Sequence, residues 1–323
     1  MKITRGLPSL PPASCPVLTI GNFDGQHLGH RALVQAVVDR AQQMNGFPMV
    51  LSFDPHPVEV LRPGYAHKFL SEDHEKIAFF EHLGIAELVI LPFTKALASL
   101  TPDQFVGQVL RDGLGIRKLL VGENFVFGKG RSGTVKDLIT LGIEGDFSVE
   151  PIAPVMMGQD VVSSTRIRKC LAAGDVTQGA QCLGRPYMLR GAVIPGEKRG
   201  SQLGWPTANI RLPGHRVLPA DGVYATLTVF KGECLDSIAY IGKRPTFSEG
   251  ERLLEVHIFD KTVQFYGEEI SVHFIERVRG DMTFVHVQDL VKQMDHDGQR
   301  AREILQDYSG KPRIPAVIQG RGL

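Results

Sequence analysis

Two histidines, His27 and His30, lie three residues apart where a short apolar run gives way to an amphipathic segment. They belong to the stretch GNFDGQHLGH, residues 21–30, whose three glycines let the backbone approach a ligand closely. The first turn of a helix offers N–H groups and a partial positive charge, both suited to phosphate. Two imidazoles on one side of that turn can offset the charge that develops on phosphoryl transfer. The alternative is a tight turn that carries two surface histidines.

A second candidate phosphate site follows later in the first half. Ser163, Ser164 and Thr165 are good N-cap residues for a helix over 167–173, and their hydroxyls suit phosphate oxygens. Arg168 can add a forked positive donor. An ordinary capped helix with exposed arginines is the alternative.

The second half of the chain carries candidate metal ligands and a candidate base. A glycine-rich loop over 191–204 precedes Thr207 and Asn209, whose hydroxyl and amide oxygens suit Mg²⁺. On the predicted strand 253–259, Glu255 and His257 share one face, and a carboxylate there could take a proton from an attacking hydroxyl. The alternative is a solvent-facing glutamate on a half-buried strand.

Alternating strands and helices must position the groups of the first half. Apolar runs predict strands at 17–20, 48–53, 88–91, 118–121 and 147–152. Helices are predicted between them, including one over 73–83 and one that Thr101 caps. This alternation predicts a parallel sheet covered by helices, with ligands at the carboxyl ends of its strands. Pro55 and Pro57 predict an irregular loop after the second strand.

Short alternating strands take over in the second half. They are predicted at 187–194, 223–230, 237–241, 253–259 and 270–275, followed by a helix over 287–305. This texture predicts a small antiparallel β-barrel. We therefore expect domains at 1–184 and 185–308 and a mobile tail at 309–323.

Composition limits the partners of the chain. Its 323 residues include 36 Lys and Arg and 35 Asp and Glu, a net charge of +1 without the basic excess of nucleic-acid-binding proteins. No apolar run approaches the ~18 residues of a membrane span. Four widely spaced cysteines indicate a reducing cytoplasm. We expect a cytoplasmic monomer or weak homo-oligomer that acts on small molecules and binds neither nucleic acid nor membrane.

One further glycine pattern, GKGRSG at 128–133, fits the dinucleotide fingerprint G-x-G-x-x-G. No acidic residue clearly ends a following strand at the offset that this fingerprint requires. A P-loop is excluded because Glu123 stands where its first glycine should be.

Four segments of the first half resemble the nucleotidyltransferase superfamily, and closely its flavin-adenylylating branch. They are GNFDGQHLGH at 21–30, FDPHP at 53–57, VGENFVFG at 121–128 and SSTRIR at 163–168. The second half resembles riboflavin kinase in GWPTAN at 204–209, DGVY at 221–224, IGKRPTF at 241–247, EVH at 255–257, FYG at 265–267 and Arg279. Ser201, Tyr240 and Asp281 stand where that family commonly has Arg, Asn and Glu, and Val126 stands where many adenylylating relatives have a basic residue.

The resemblance covers about residues 15 to 300 and is to the bifunctional riboflavin kinase/FAD synthetase family. It implies an α/β nucleotidyltransferase domain and a β-barrel kinase domain with a C-terminal helix. Riboflavin, FMN and ATP would be the substrates and Mg²⁺ the cofactor. The barrel would phosphorylate riboflavin to FMN, and the first domain would adenylylate FMN to FAD and release pyrophosphate.

The resemblance also implies roles for individual residues. In the first half it implies an ATP site at Gly21, Asn22, Phe23, Asp24, Gly25, His27, His30, Ser164, Thr165 and Arg168. Around the flavin and nucleotide it implies Phe53, His56, Asn124 and Phe127. In the barrel it implies ATP contacts at Gly196, Gly200, Gly204, Thr207 and Asn209, Mg²⁺ at Thr207 and Asn209, flavin at Arg279 and the base at Glu255.

Three other functions remain open at this point. The first is an FMN adenylyltransferase whose barrel only binds flavin, which the Ser201 and Tyr240 departures suggest. The second is a cytidylyl- or pantetheine-adenylyltransferase, which would share the histidine motif. The third is a non-catalytic flavin-sensing or RNA-binding module.

Overall fold

A computed structural model describes residues 1–8, 15–196, 199–243, 252–261 and 267–308. The chain divides into two compact units, Met1–Ser163 and Ser164–Leu323. The boundary between these units lies about 20 residues before the expected domain boundary near 185. The expected boundary stays a prediction. The expected mobile tail at 309–323 lies outside the described residues.

The first unit is built on a six-stranded sheet. Its strands are β1 (Lys2–Arg5), β2 (Pro16–Ile20), β3 (Phe47–Asp54), β4 (Glu87–Pro92), β5 (Lys118–Gly122) and β6 (Ser148–Ile152). They lie in the order β1-β4-β3-β2-β5-β6, and every neighbouring pair is parallel. The predicted parallel sheet is confirmed, and β1 is a strand that the sequence analysis did not predict.

Helices connect these strands. They are α1 (Leu28–Gln43), α2 (Pro57–Leu61), α3 (Asp73–Leu83), α4 (Lys95–Ala98), α5 (Pro102–Phe105) with a π-helical turn at Val106–Arg111, a 3₁₀ turn at Lys129–Arg131, and α6 (Val135–Glu144). A small hairpin of β7 (Met156–Met157) and β8 (Asp160–Val161) follows. The predicted cap is present, since the Thr101 hydroxyl accepts a hydrogen bond from the Gln104 amide at 3.3 Å.

The central strands of the parallel sheet are buried on both faces. Val17 of β2 lies in a cluster with Val34 and Val37 of α1, whereas its neighbour Leu18 lies in the opposite cluster with Leu110 of the π-helical turn. Neighbouring residues of a strand face opposite sides of a sheet, so helices must cover both sides. The strand order reverses between β2 and β5, and in such sheets ligands bind beyond the carboxyl ends at the reversal.

The second unit is a closed barrel with helices on its outside. Its elements are α7 (Ser164–Ala173), α8 (Val176–Leu183), β9 (Tyr187–Ile194), α9 (Arg199–Gln202), β10 (Ala208–Arg211), β11 (Gly222–Phe230), β12 (Glu233–Lys243), β13 (Arg252–Ile258), β14 (Glu269–Gly280) and α10 (Val287–Tyr308). The strand order is β10-β13-β12-β11-β14-β9, and all pairs are antiparallel. This confirms the predicted barrel and C-terminal helix.

Helix α10 covers one outer side of the barrel. Its buried residues Ala301, Ile304 and Leu305 share a cluster with Leu227 of β11 and Ile238 of β12. Among the described residues, no helix is long and apolar enough to cross a membrane.

Candidate active sites

The turn after β2 has an unusual backbone. Phe23, Gly25 and Gln26 have φ values of 52°, 86° and 40°, in the left-handed region. A bulky residue such as Phe23 rarely adopts this conformation, and strain of this kind is concentrated at functional sites. The Phe23 ring is 2% exposed and lies edge-on to Phe80 of α3, 5.2 Å between centroids. Burial of this ring helps to hold the turn in its strained shape.

Asp24 fastens the same turn to a segment 46 residues further along. Its carboxylate accepts hydrogen bonds from the backbone amides of Leu70 at 2.9 Å and Ser71 at 3.1 Å. The Ser71 hydroxyl in turn accepts from the Gly25 amide at 3.0 Å. The structure thus places Asp24 in a network that shapes the turn, and its assignment to the ATP site stays a prediction.

His27 and His30 come together at the start of α1. Their rings stack with centroids 3.6 Å apart and 17° between the planes. His27 Nδ1 accepts from the His30 backbone amide at 3.2 Å, which caps the helix and leaves Nε2 to carry the hydrogen of the neutral ring. A Cβ at Gly29 would lie 3.1 Å from His27 Cε1, so glycine lets the ring lie over the first turn.

Two other predicted residues of this turn also have defined places. Gly21 donates its amide to the Leu51 carbonyl at 3.0 Å, and a Cβ there would lie 3.0 Å from the Phe23 ring. The side-chain oxygen of Asn22 is buried and has no hydrogen-bond partner among the described residues. A buried acceptor of this kind is costly unless a partner completes it, so Asn22 is suited to a ligand that donates.

The FDPHP stretch differs from the expected irregular loop. Pro57 begins α2, because proline is well tolerated at the first position of a helix, so the predicted bar to regular structure was wrong at this residue. His56 caps the helix through Nδ1, which accepts from the Val58 amide at 3.2 Å. The His56 ring stacks on His67 with centroids 4.7 Å apart, and Phe69 lies edge-on to both rings.

The segment after β5 divides between surface and core. Asn124 is exposed, whereas Phe127 is 7% exposed and belongs to the core cluster of one sheet face. Phe127 also exchanges backbone hydrogen bonds with Gly133, at 3.0 and 3.1 Å. Phe53 is partly buried and lies edge-on to Phe93. Contact of these side chains with a flavin stays a prediction.

Of the residues predicted to bind phosphate in the segment 163–168, Ser163 ends the first unit, and Ser164, Thr165 and Arg168 lie in the second. Helix α7 begins at Ser164, and Ser164 and Arg168, four residues apart, share one side of it. Thr165 is exposed. Their meeting with His27 and His30 around one triphosphate stays a prediction.

The barrel brings three predicted residues together. Asn209 of β10 lies directly opposite Glu255 of β13, so their side chains share one face. The Thr207 hydroxyl lies 3.5 Å from a Glu255 carboxylate oxygen. The Asn209 side-chain oxygen is buried without a hydrogen-bond partner among the described residues, and a Cβ at Gly196 would collide with the Asn209 amide. These hard oxygen donors, one of them buried and unsatisfied, fit Mg²⁺.

The glycine-rich loop is described only in part. Glu197 and Lys198 of the predicted phosphate loop, and residues 244–247 of the IGKRPTF segment, lie outside the described residues, as does the Ser201 side chain. Gly200 accepts from the Trp205 amide at 2.8 Å, and Gly204 has a φ of 83°. These two glycines thus shape the backbone that enters Thr207.

Tyr240 and Asp281, two further departures from the riboflavin kinase pattern, contact each other. The Tyr240 hydroxyl donates to Asp281 at 3.1 Å, and burial, with Asp281 adding to the effect, raises the Tyr240 pKa. Arg279 donates from Nε to Asp297 of α10 at 2.8 Å. Its guanidinium carbon lies 5.8 Å from the Phe284 ring centroid. A flavin could therefore contact only those guanidinium atoms of Arg279 that Asp297 and Phe284 do not cover, and this contact stays a prediction.

Comparison with known proteins follows the division into two halves. A family model described as FAD synthetase matches residues 12–166, and one described as riboflavin kinase matches 183–305. The bifunctional riboflavin kinase/FMN adenylyltransferase of Escherichia coli K12 is 35% identical over 307 residues, covering 94% of this chain and 97% of that protein. The chain belongs to this family. The protein of the same name from Bacillus subtilis 168 is 33% identical over 289 residues, covering 88% of this chain and 91% of that protein.

The fold agrees with a solved structure as well. A crystal structure from Streptococcus pneumoniae, titled macrolide-efflux protein, matches with a TM-score of 0.85 and 29% identity, over 94% of this chain and 99% of that one. Because the chain carries both a FAD synthetase and a riboflavin kinase domain, it is a bifunctional transferase.

Some residues near the FAD synthetase motifs were missed from the sequence. Ser71, which binds the histidine turn, and His67 and Phe69, which stack with His56, lie in a segment without apolar periodicity. No pattern in the sequence relates this segment to a turn about 45 positions earlier. Near the kinase motif, strand spacing places His257 on the same face as Glu255 but does not indicate its hydrogen bond to the Pro206 carbonyl.

Proposed function

We propose that the chain makes FAD from riboflavin in two steps. The barrel transfers the γ-phosphoryl group of ATP to the ribityl 5′-hydroxyl of riboflavin, and the first half joins the resulting FMN to the AMP part of a second ATP. The observation that carries this proposal is the presence of both family domains on one chain, with a bifunctional relative aligned over 94% of it. This also favours two activities over an adenylyltransferase with a merely flavin-binding barrel.

In the kinase half, Glu255 is the proposed base. Its carboxylate takes the proton of the 5′-hydroxyl as that oxygen bonds to the γ-phosphorus, and the bond from this phosphorus to the β-γ bridging oxygen breaks to release ADP. Thr207 and Asn209 would hold Mg²⁺ with their oxygens, at the place where Asn209 has a buried unsatisfied acceptor. Bound Mg²⁺ would supply positive charge to the phosphate groups.

In the FAD synthetase half, catalysis rests on placement and charge. A phosphate oxygen of FMN attacks the α-phosphorus of ATP, and the bond from that phosphorus to the α-β bridging oxygen breaks to release pyrophosphate. FMN phosphate is already ionised, so no enzyme-bound intermediate is needed. His27 and His30 at the start of α1 would donate to the phosphates during this step, and Ser164, Thr165 and Arg168 would hold the pyrophosphate.

Two substitutions test the division of labour. We expect His30→Ala to abolish FAD formation and spare FMN formation, and Glu255→Ala to do the converse. Removal of one preorganised donor to developing charge costs ~10²–10³ in rate. Chromatography of the products from riboflavin, ATP and Mg²⁺ measures both steps. His82→Ala, at an exposed histidine of α3, serves as control. Equal loss of both products in either active-site variant would contradict two separate sites.

We propose further that the chain works as a cytoplasmic monomer or weak homo-oligomer. All four cysteines, Cys15, Cys170, Cys182 and Cys234, are free thiols, as expected in a reducing compartment. Light scattering coupled to size-exclusion chromatography measures the mass directly. A stable higher oligomer would refute the proposed monomer or weak homo-oligomer.

A further inference from the structure

The backbone that leads into Thr207 is held from several sides. This segment, Trp205 to Thr207, connects α9 to β10. The Trp205 amide donates to Gly200 at its start, and the Asn209 register with Glu255 fixes the strand after it. Between these two points, the position of Thr207 depends on what holds Trp205 and Pro206.

His257 holds Pro206. Its Nδ1 lies 2.8 Å from the Pro206 carbonyl oxygen, which can only accept, so Nδ1 carries the hydrogen. His257 is two residues from Glu255 on β13 and therefore shares its face. The hydrogen bond thus joins the carbonyl immediately before Thr207 to the strand that bears the proposed base.

Helix α10 holds Trp205 against this histidine. The indole Nε1 donates to Asp295 at 3.1 Å, and the Trp205 ring lies 4.6 Å from the His257 ring, centroid to centroid. A Cβ at Gly298 would collide with the indole, so the helix approaches the ring as closely as glycine allows. Arg302, one turn later, lies 4.2 Å over Phe259, which in turn lies edge-on to His257.

We propose that His257 is a positioning residue of the kinase site. It holds Thr207 beside Glu255 through the Pro206 carbonyl, and Trp205 and α10 hold His257 and Pro206 together from the other side. This inference rests on the proposed kinase function and extends it, because no role in that function has so far been given to His257, Trp205 or α10. A shift of about 1 Å at a reacting group can cost ~10²-fold in rate.

Two substitutions of nearly equal size separate the hydrogen bond from packing. Asparagine places a side-chain N–H two bonds from Cβ, as histidine does with Nδ1, whereas leucine has the same shape without a donor. We expect His257→Leu to lower kcat for riboflavin phosphorylation ~10²-fold, and to raise KM for MgATP by roughly 5- to 10-fold, the worth of one hydrogen bond. KM for riboflavin should stay unchanged. His257→Asn should stay within about threefold of the parent, since it keeps the bond.

FAD synthesis from added FMN provides the folding control within the same molecule. We expect both variants to keep it, and the thermal unfolding midpoint of the leucine variant should lie no more than about 2–4 °C below that of the asparagine variant, the worth of one hydrogen bond. Equal kinase loss in both variants, or parent-like kinase kinetics in His257→Leu, would refute the positioning role. Absence of riboflavin phosphorylation in the unsubstituted protein would instead refute the proposed function.

Trp205 is the only tryptophan of the chain, so its fluorescence reports on this segment whether or not turnover occurs. We expect Gly298→Ala to displace the indole, move its emission to longer wavelength and lower kinase kcat. Gly214→Ala is the matched control, because a Cβ there meets nothing within 4 Å. If the Gly298→Ala variant kept the parent's emission and kinase kinetics, the proposal that α10 holds Trp205 against His257 would be refuted.

Discussion

The carboxylate of Asp24 determines the shape of the histidine turn through long-range contacts. It accepts from two consecutive backbone amides, those of Leu70 and Ser71, and lies within 3.3 Å of the Ser71 hydroxyl. Hydrogen bonds to a charged acceptor are worth about 1.5–3 kcal/mol each, more than neutral ones. This residue therefore has a structural role that its position within a phosphate-binding motif did not indicate.

We predict that Asp24→Asn lowers both stability and FAD formation. An amide offers one acceptor oxygen, and its NH₂ group would face a backbone donor, so the free energy of unfolding should fall by about 1.5–3 kcal/mol. Urea unfolding followed by circular dichroism measures this. Asp39→Asn is the control, since Asp39 is exposed and the hydrogen bond described for it, from Gln35, lies at the surface. Equal stability of the two variants would contradict the prediction.

His273 of β14 is fully buried. Neither ring nitrogen has a hydrogen-bond partner among the described residues. Burial, with the charge of Arg185 adding to it, lowers the His273 pKa to about 3. The protein therefore keeps this imidazole neutral throughout the physiological range of pH.

The pH dependence follows from that shift. Above pH 6.5 His273 is neutral in folded and unfolded chains alike. Below it the unfolded chain binds a proton that the folded one refuses, so this histidine makes stability fall as pH drops, by about 1.4 kcal/mol per pH unit. We predict that His273→Met reduces the slope of unfolding free energy between pH 7 and 5.5, measured with urea. An unchanged slope would contradict this assignment.

At the scale of elements, the sequence predicts those with a strong local pattern. Helix α3 was predicted with its observed bounds, Asp73–Leu83, and β9 likewise, Tyr187–Ile194. The strands β1 and β10 were missed because each is short and mixes polar with apolar residues, KITR and ANIR, so neither contains an apolar run. Their places depend on backbone pairing with strands remote in sequence, β1 with β4 and β10 with β9 and β13.

The candidate sites show the same limit. Residue types and spacing made Thr207, Asn209 and Glu255 candidates, because the chemistry of a metal and a base restricts the choice. For Glu255 the spacing left a solvent-facing glutamate as the alternative, and only the family resemblance implied the role of a base. The contacts that we propose to position Thr207 come from His257, Pro206, Trp205 and α10, which carry no such restriction. Similarly, His56 is not a typical N-cap residue, so the start of α2 could not be predicted from it.

An ion pair joins two elements of the barrel unit, β14 and α10. Arg279 donates to Asp297, whose side chain is 3% exposed and also accepts from Gln293 at 2.8 Å. Removal of one partner leaves a buried charge without compensation, whereas apolar replacement of both is often neutral. We predict that Asp297→Ala costs about 3–5 kcal/mol of unfolding free energy.

The double variant makes this test specific. Arg279→Met with Asp297→Leu should recover most of the stability lost in Asp297→Ala, as measured by chemical unfolding, because no unpaired charge remains. If the double variant were as unstable as the single one, packing rather than charge would explain the loss. Kinase activity is not the readout here, because Arg279 is also a predicted flavin contact.

At the scale of the whole molecule, the two activities share an intermediate. FMN is the product of the proposed kinase and the substrate of the proposed adenylyltransferase, and the relative aligned over 94% of the chain carries both activities in its name. FMN bears an ionised phosphate, so water solvates it well and nothing in its chemistry prevents release. The two steps should therefore be separable between two molecules of the protein.

We predict that a mixture of the His30→Ala and Glu255→Ala proteins makes FAD from riboflavin, although neither does so alone. The first protein keeps its kinase site and releases FMN, and the second keeps its adenylyltransferase site and takes that FMN up. FAD should appear after a lag, during which free FMN accumulates, and the lag should lengthen on dilution because uptake is bimolecular. Chromatography of filtered samples over time measures both flavins. If FMN stayed bound to the first protein and no FAD formed, while added FMN was still converted by the second, transfer would require both sites on one chain.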